Sequence, residues 1–472
     1  MRGRMGAVTV LVVLAVVVGV TATAAPPPAQ PQGRYLVVFK ADAVPHDAAA
    51  RIAAHGGALL RSIGPIGVVS AAGGPAFARD LARDPGVLAV GPEHVWAVPG
   101  GRPAEVKGDP AAAEAGPLPA DSLYYYQWDI RRIGAPAVWD RLPLGPGTPA
   151  VAVLDVGVMT NHPDLAGAVA TSVATSYCPT GDGYPIYQSF IDFDTFPDWS
   201  PADGCSTLAP AYYETHGTHV AGTIGARFGG GRVVGVAPDT VLGAYKVFDY
   251  YLSGGTLHSG AFDGPIFAAI VQATMDGYPV ISMSLGGYLV RNDKSDNASY
   301  LAWDRVAKWA NRNGALIVAS AGNGAANLNG PLVHIPSDLP TVMCVSASAA
   351  GLLIGPPYEV SPGTDYLASY SNYGAAVDLA APGGDCPPAL PCTVNYLIVN
   401  DGISDTGAAT YYGMAGTSMA VPHVSAVAAW VRAMHPDWTP GAVRAWVKTT
   451  AEVIGSRQQF GHGLVDAAAA TQ

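Results

Sequence analysis

Three short segments of this 472-residue chain pair a reactive side chain with a backbone setting suited to using it. In residues 151–157, Val-Ala-Val-Leu-Asp155-Val-Gly, an Asp closes a strongly apolar run just before a Gly turn. Ligands of open parallel sheets bind at that carboxyl edge of the strands. In residues 216–222, His216-Gly-Thr-His219-Val-Ala-Gly, small residues follow a His that opens a helical stretch. In residues 416–423, Gly-Thr-Ser418-Met-Ala-Val-Pro-His, a Ser opens a long apolar helix. There the first N–H groups lack an intrahelical acceptor and the helix dipole favours developing negative charge. An alcohol, an imidazole and a carboxylate are together the parts of nucleophilic acyl transfer.

Each segment alone also fits an ordinary role: a turn Asp, a capping or core His, an N-cap Ser. A zinc site on His216 and His219 is the weaker reading, since no neighbouring Glu completes a zinc-protease helix. Nor is Ser418 in a Gly-x-Ser-x-Gly elbow, because Ala420 stands at the second Gly. Taken together, the chain order Asp, His, Ser is one of the known triad orders. On these three segments, and on the closing Phe-Gly-His-Gly-Leu-Val-Asp of residues 460–466, the chain resembles the subtilase family from about residue 123 to its end.

The resemblance implies Ser418 as nucleophile, His216 as general base and Asp155 as the group that orients and stabilises the imidazole. It implies Asn323, in Ser-Ala-Gly-Asn of residues 320–323, as the side-chain donor of an oxyanion hole. Ser284, Leu285 and Gly286, in Ser-Leu-Gly-Gly after an apolar run, match the segment that pairs with substrate backbone, with Gly254 and Gly255 on the opposite edge. His334 falls where relatives floor their specificity pocket, and predicts reduced preference for large aromatic side chains. Two departures stand out. Val156 follows the Asp where relatives carry Ser or Thr, removing a hydroxyl from the carboxylate and predicting altered activity or pH range. Asp164 matches a carboxylate of the family's calcium site, but the loop at residues 228–232, Phe-Gly-Gly-Gly-Arg, offers no Asn or Asp beside it. The chemistry requires no cofactor. A structural calcium would need other oxygens, such as Asp182, Asp192, Asp194, Asp198 and Asp203 in the insertion at 171–215.

The elements that must position these residues are legible as texture. Apolar runs at residues 150–154, 241–247, 280–283, 315–319 and 342–345 read as strands buried on both faces. Helical stretches at 216–226, 262–276, 303–312 and 417–434 alternate with them. The pattern predicts an α/β, doubly wound, mainly parallel sheet with helices on both faces over residues 122–472. Residues 34–98 predict a small α+β, ferredoxin-like unit, with strands at 35–39, 87–90 and 95–98 and helices at 47–55 and 75–83. This unit resembles the family's inhibitory propeptide. Residues 99–121, rich in Pro, Gly, Ala and charge, read as a linker holding a processing site.

Residues 1–24 read as a signal peptide: Arg2 and Arg4, an apolar run of 14 residues, then Ala-Thr-Ala. Hydrophobic residues make up 49% and charged residues 13%, which is a globular composition. Lys and Arg number ten against eight acidic residues up to residue 120, and 15 against 28 after it, a net of −13. That acidic surface argues against nucleic acid. In an oxidising compartment Cys178 with Cys205, and Cys386 with Cys392, can each close a local loop, leaving Cys344 as a buried thiol. The expectation is a secreted, monomeric serine endopeptidase made as a zymogen, with polypeptide substrates, its own propeptide as partner and no membrane attachment after processing. A dedicated maturation protease for one leader peptide, or an inactive homologue acting as a binding module, are the alternatives.

Overall fold

A computed structural model of the chain describes residues 33–74, 76–97, 104–105, 121–142, 150–175, 215–253, 256–387, 392–404 and 406–472. The signal peptide, most of the linker, Cys178, Cys205, the five acidic residues of the insertion, Gly254 and Gly255 lie outside the described residues.

The main sheet has eight strands. Across it run Asp365–Leu367, Met343–Ala350, Leu316–Ser320, Val280–Met283, Ala150–Asp155, Val241–Lys246 and Val169–Ala174, with Leu379–Pro382 also paired to Met343–Ala350. Every pairing is parallel except that of Asp365–Leu367. Alternate residues of the central strand enter different cores. Val151 and Val153 join the side chains of Thr215–Gly225 and Thr417–Met434, while Ala152 and Leu154 join those of Asp263–Met275 and Asn297–Arg312. Two buried faces favour apolar side chains, which is why these strands read as mostly apolar runs, with Ser282, bonded to Ser425 at 3.0 Å, among the exceptions. After Ala150–Asp155 the chain adds strands on one side and then crosses to the other, so Asp155 sits at a topological switch point, where doubly wound sheets bind ligands.

Residues 33–92 form a separate four-stranded antiparallel sheet, ordered Gly57–Ile63, Val68–Gly73, Gly33–Phe39, Val87–Pro92, with helices Ala48–Ala54 and Phe77–Leu81. This is the ferredoxin-like arrangement. Period-2 alternation again sorts its side chains: Val37 and Phe39 pack under the two helices, while Leu36 and Val38 pack against Trp303 and Val306 of Asn297–Arg312. Polar anchors fix the junction. Glu93 is buried, pairs with Arg34 at 2.8 Å and accepts from the Gly264 N–H at 2.8 Å, capping Asp263–Met275. Arg305 donates to the carbonyl of Phe39 at 2.8 Å. The next residues, Val95–Ala97, pair antiparallel with Gly260–Phe262.

Several expected boundaries move. The 342–345 run continues to Ala350, the 303–312 helix begins at Asn297, and the 75–83 helix shrinks to Phe77–Leu81. Cys386 and Cys392 form a disulfide, and Cys344 is a buried free thiol whose ionisation burial opposes strongly.

Candidate active site

Asp155 ends its strand at the carboxyl edge of the sheet, and His216 lies in the first turn of Thr215–Gly225, which packs against that strand. The two meet: His216 Nδ1 lies 2.8 Å from Asp155 Oδ1, which also accepts from the Val156 N–H at 2.8 Å. Gly217 makes this approach possible, because a Cβ there would sit 2.1 Å from the Gly157 carbonyl oxygen. Asp155 Oδ2 is buried with no partner among the described residues, and Val156 offers it no hydroxyl. His219 turns away from the pair. Its Nε2 donates to the carbonyls of Ile398 at 2.9 Å and Tyr412 at 3.2 Å, and burial pushes its pKa down to about 3. With His216 held by Asp155 and His219 by main-chain carbonyls, the two do not form a metal pair.

Ser418 opens the helix Thr417–Met434, which packs beside Thr215–Gly225. Pro422 stands four residues on and has no N–H, so the helical bond to the Ser418 carbonyl is not made. Ser284 replaces it: its Oγ donates to the Ser418 carbonyl at 2.7 Å, and Ser418 Oγ donates to the Ser284 carbonyl at 3.3 Å. The helix is thereby tied to the end of strand Val280–Met283. In this rotamer the Ser418 hydroxyl is not bonded to the imidazole, and His216 Nε2 is buried with no partner among the described residues. Asn323 completes the group. Its Oδ1 accepts from the Thr417 N–H at 2.9 Å and the Thr417 hydroxyl at 2.7 Å. That fixes the amide, leaving Nδ2 on the side of Gly416, 3.5 Å from where a Cβ on that residue would lie. The Ser418 N–H, in the first helical turn, has no i−4 carbonyl in its own helix. The arrangement can deliver an alcohol, a base oriented by a carboxylate and two N–H donors to one reacting carbonyl.

Comparison with known proteins identifies the family. The model of the Subtilase family matches residues 147–463. The chain belongs to the subtilase family. It is 31% identical over 345 residues to Subtilisin Savinase of Lederbergia lenta, covering 73% of this chain and 98% of that protein. It is 30% identical over 373 residues to Subtilisin NAT of Bacillus subtilis subsp. natto, covering 78% and 77%. Among solved structures, the epidermin leader peptide processing serine protease of Staphylococcus aureus aligns with TM-score 0.69 at 22% identity, over 94% of this chain and 98% of that one, a likeness of fold that extends over the N-terminal unit. Family membership makes the chain a serine peptidase.

The residues expected on the substrate side gather at one place. Ser284, Leu285 and Gly286 leave the strand Val280–Met283, and Gly287–Val290 then pairs with Leu332–Ile335, which carries His334. His334 is not a surface loop residue: it is 4% exposed, and its ring lies edge-on to Tyr288 at 5.1 Å. A Cβ on Gly286 would lie 2.5 Å from the His334 ring, and one on Gly322 2.7 Å. The ring therefore fills the space between the Ser284–Gly287 and Ser320–Asn323 segments. Tyr288 and Asn372, bonded to each other at 2.8 Å, close it further, and neither was singled out by sequence. Nor were Gly260, Ala261 and Phe262, which carry the recorded pairing with Val95–Ala97 on the edge opposite Gly287. Trp96 of that added strand reaches across, since a Cβ on Gly287 would sit 2.1 Å from its ring.

Asp164 does not present a calcium ligand to the loop at 228–232. Its carboxylate accepts from the Arg232 N–H at 3.0 and 3.2 Å, so that loop offers it a donor where the family's site would need oxygens.

Burial pushes the His334 pKa down to about 4, and His219 lower still. In the unfolded chain both titrate near 6.5, so between that pH and about 4 the unfolded state binds more protons and stability falls as pH falls. Denaturant unfolding of an inactive variant is expected to lose about 2–3 kcal/mol between pH 7 and 4.5 from His334 alone. His334→Asn should remove that share of the slope, and an unchanged slope in this variant would contradict the assignment.

Proposed function

We propose that this subtilase is the precursor of a secreted serine endopeptidase that hydrolyses peptide bonds through an acyl-enzyme, with Asp155, His216 and Ser418 as its triad. The reading rests on the 2.8 Å contact between Asp155 and His216 at the carboxyl edge of the sheet, beside the helix that Ser418 opens. Rotation of the Ser418 side chain from the Ser284 carbonyl to His216 Nε2 readies the alcohol. The imidazole takes its proton as the alcohol attacks the scissile carbonyl and returns it to the leaving amine, while Asp155 stabilises the imidazolium. Asn323 Nδ2 and the Ser418 N–H receive the oxyanion. Water then repeats the sequence on the ester.

Substrate adds as a strand between the Gly260–Phe262 edge and Ser284–Gly286. Val95–Ala97 already lies on the first of these edges, which supports residues 34–98 as a temporary inhibitor and folding aid that is released by self-cleavage. The signal-like residues 1–24 support export. Among the described residues, no helix is long and apolar enough to cross a membrane.

A fluorophosphonate probe tests the chemistry, because it esterifies only an activated serine. Labelling is expected at Ser418 in the wild-type chain and to vanish in His216→Ala. Labelling that survives this variant would exclude His216 as the base, and its absence from the wild type would exclude the triad and favour a binding module.

His334 makes the pocket short and, at neutral pH, uncharged. His334→Gly is therefore expected to raise kcat/KM for Phe relative to Ala before the scissile bond by about 10–100-fold, the range of a few buried carbons. An unchanged ratio on matched peptides would place the pocket elsewhere.

The Staphylococcus aureus structure is that of a leader peptide processing protease, and its fold spans nearly the whole of this chain. A restrictive pocket fits that second reading, cleavage of one partner's leader. Denatured casein separates the two: a general endopeptidase digests it, and a dedicated processor leaves it largely intact.

A further inference from the structure

Behind the His216 helix lies a buried cluster that the proposed chemistry does not use. His162 and Asp164 stand in the turn after the Asp155 strand, and Asp401 lies on strand Ile398–Ile403. All three are 0% exposed, and one ligand atom from each lies within 4.8 Å of the others. His162 Nδ1 is 3.3 Å from Asp401 Oδ1 and 3.8 Å from Asp164 Oδ2. His162 Nε2 lies 3.1 Å from the Thr410 carbonyl, which can only accept, so this nitrogen carries the proton. Nδ1 then presents its lone pair, which accepts a long hydrogen bond, 3.4 Å, from the Asp164 N–H. Asp164 has donors of its own in the Arg232 N–H and the Tyr411 hydroxyl, the latter at 2.9 Å. Asp401 has none: both its carboxylate oxygens are buried without a hydrogen-bond partner among the described residues. The Arg232 guanidinium lies over the Tyr411 ring, 5.3 Å from its centroid.

Two carboxylates and an imidazole lone pair thus converge in a space closed to water. Keeping both carboxylates ionised there with nothing to balance them is among the costliest arrangements a protein interior can hold, so without an ion burial and the Asp164 carboxylate keep Asp401 protonated. We infer that His162, Asp164 and Asp401 form a structural site for a divalent transition-metal ion of the zinc class. The ligand atoms of a tetrahedral zinc site are about 3.4 Å apart, close to the two separations from His162, and the second unpartnered oxygen of Asp401 would fill the fourth position. One imidazole with carboxylates suits zinc, whereas calcium wants six to eight oxygens. The outer contacts match too: a ligating His usually donates its other N–H to a carbonyl or carboxylate, as His162 does to Thr410. Gly222 of the His216 helix leaves room for Asp401, whose Oδ2 would lie 2.5 Å from a Cβ there. A bound ion would tie the turn after Asp155 to the strands packed on that helix, and through Ala409–Met414 to the approach to Ser418.

Full-length Ser418→Ala protein, made without a histidine tag and stripped with a chelator, is titrated with Co²⁺ and then Zn²⁺. The expected result is saturation at about one equivalent, with visible absorption of tetrahedral Co²⁺ that zinc abolishes, and a rise in Tm with either ion. Asp401→Asn and His162→Gln, in the same background, should each weaken Co²⁺ binding more than about 100-fold. No absorption and no shift in Tm for the parent protein overturns the site, even if neither variant folds. So does cobalt binding that both variants retain. So does an Asp401→Asn chain more stable than a metal-indifferent parent, which would mean a plain buried ion pair.

Discussion

Ser418→Ala is expected to lower turnover by on the order of 10⁶, a figure that comes from subtilisin itself, and to leave the fold almost untouched. The two halves of this expectation have separate physical grounds. Turnover falls because the only nucleophile is removed, and the oxyanion donors and bound substrate then act on water alone. The fold survives because the Ser418 hydroxyl makes one long bond, 3.3 Å to the Ser284 carbonyl. The tie between helix and strand is carried in the other direction, by Ser284 Oγ to the Ser418 carbonyl, and alanine keeps that carbonyl. Tm should therefore stay within a few degrees of the wild type. The chain should also accumulate uncleaved, with residues 34–98 attached, which mass spectrometry of secreted wild type and variant would reveal. A variant that is processed normally in pure form would show that another protease matures the chain. One that loses both turnover and fold would show that Ser418 is structural.

How much of this was legible in advance depends on where the signal resides. The strands buried on both faces were visible because little that is polar interrupts them: residues 150–154, 280–283 and 316–319 are apolar but for Ser282. Strand Gly57–Ile63, with Arg61 and Ser62 in it, and strand Val169–Ala174, half-exposed along every second residue, lack that uniform texture. The triad could be read because each member sits in a local motif several residues long. His334 could be placed in the pocket by resemblance, but its burial against Gly286, Gly322 and Tyr288 is a product of the ribbon Gly287–Val290 with Leu332–Ile335, whose strands are over 40 residues apart in sequence. Asp164 was singled out by sequence, as a calcium carboxylate, but its grouping with His162 and Asp401 had no sequence signature, since Asp401 reaches it from a distant strand. The same holds for Ser284 and Pro422. A proline inside a helix announces a missing bond, but only the fold says which side chain fills it.

Asn323 supports the second large effect, and its two ends can be tested apart. The Oδ1 end is structural, accepting from the N–H and the hydroxyl of Thr417 and so fixing the first turn of the Ser418 helix. The Nδ2 end is the proposed oxyanion donor. Asn323→Ala removes both and is expected to lower kcat by about 10²–10³ with KM little changed, a range measured for the corresponding donor in subtilisin. Alone, that loss could come from a displaced helix. Asn323→Asp separates the two, because its carboxylate still accepts from Thr417 while the donor becomes a negative charge facing the developing oxyanion. This variant should match the wild type in Tm and lose more turnover than the alanine variant, since a missing attraction to the developing oxyanion is replaced by a repulsion. The charge also sits at a helix N-terminus, which favours it and removes any reason for the variant to unfold. If Asn323→Asp turned over as fast as the wild type, the oxyanion would have to be held elsewhere, and the 2.7 Å contact with Thr417 would be the whole of what Asn323 does.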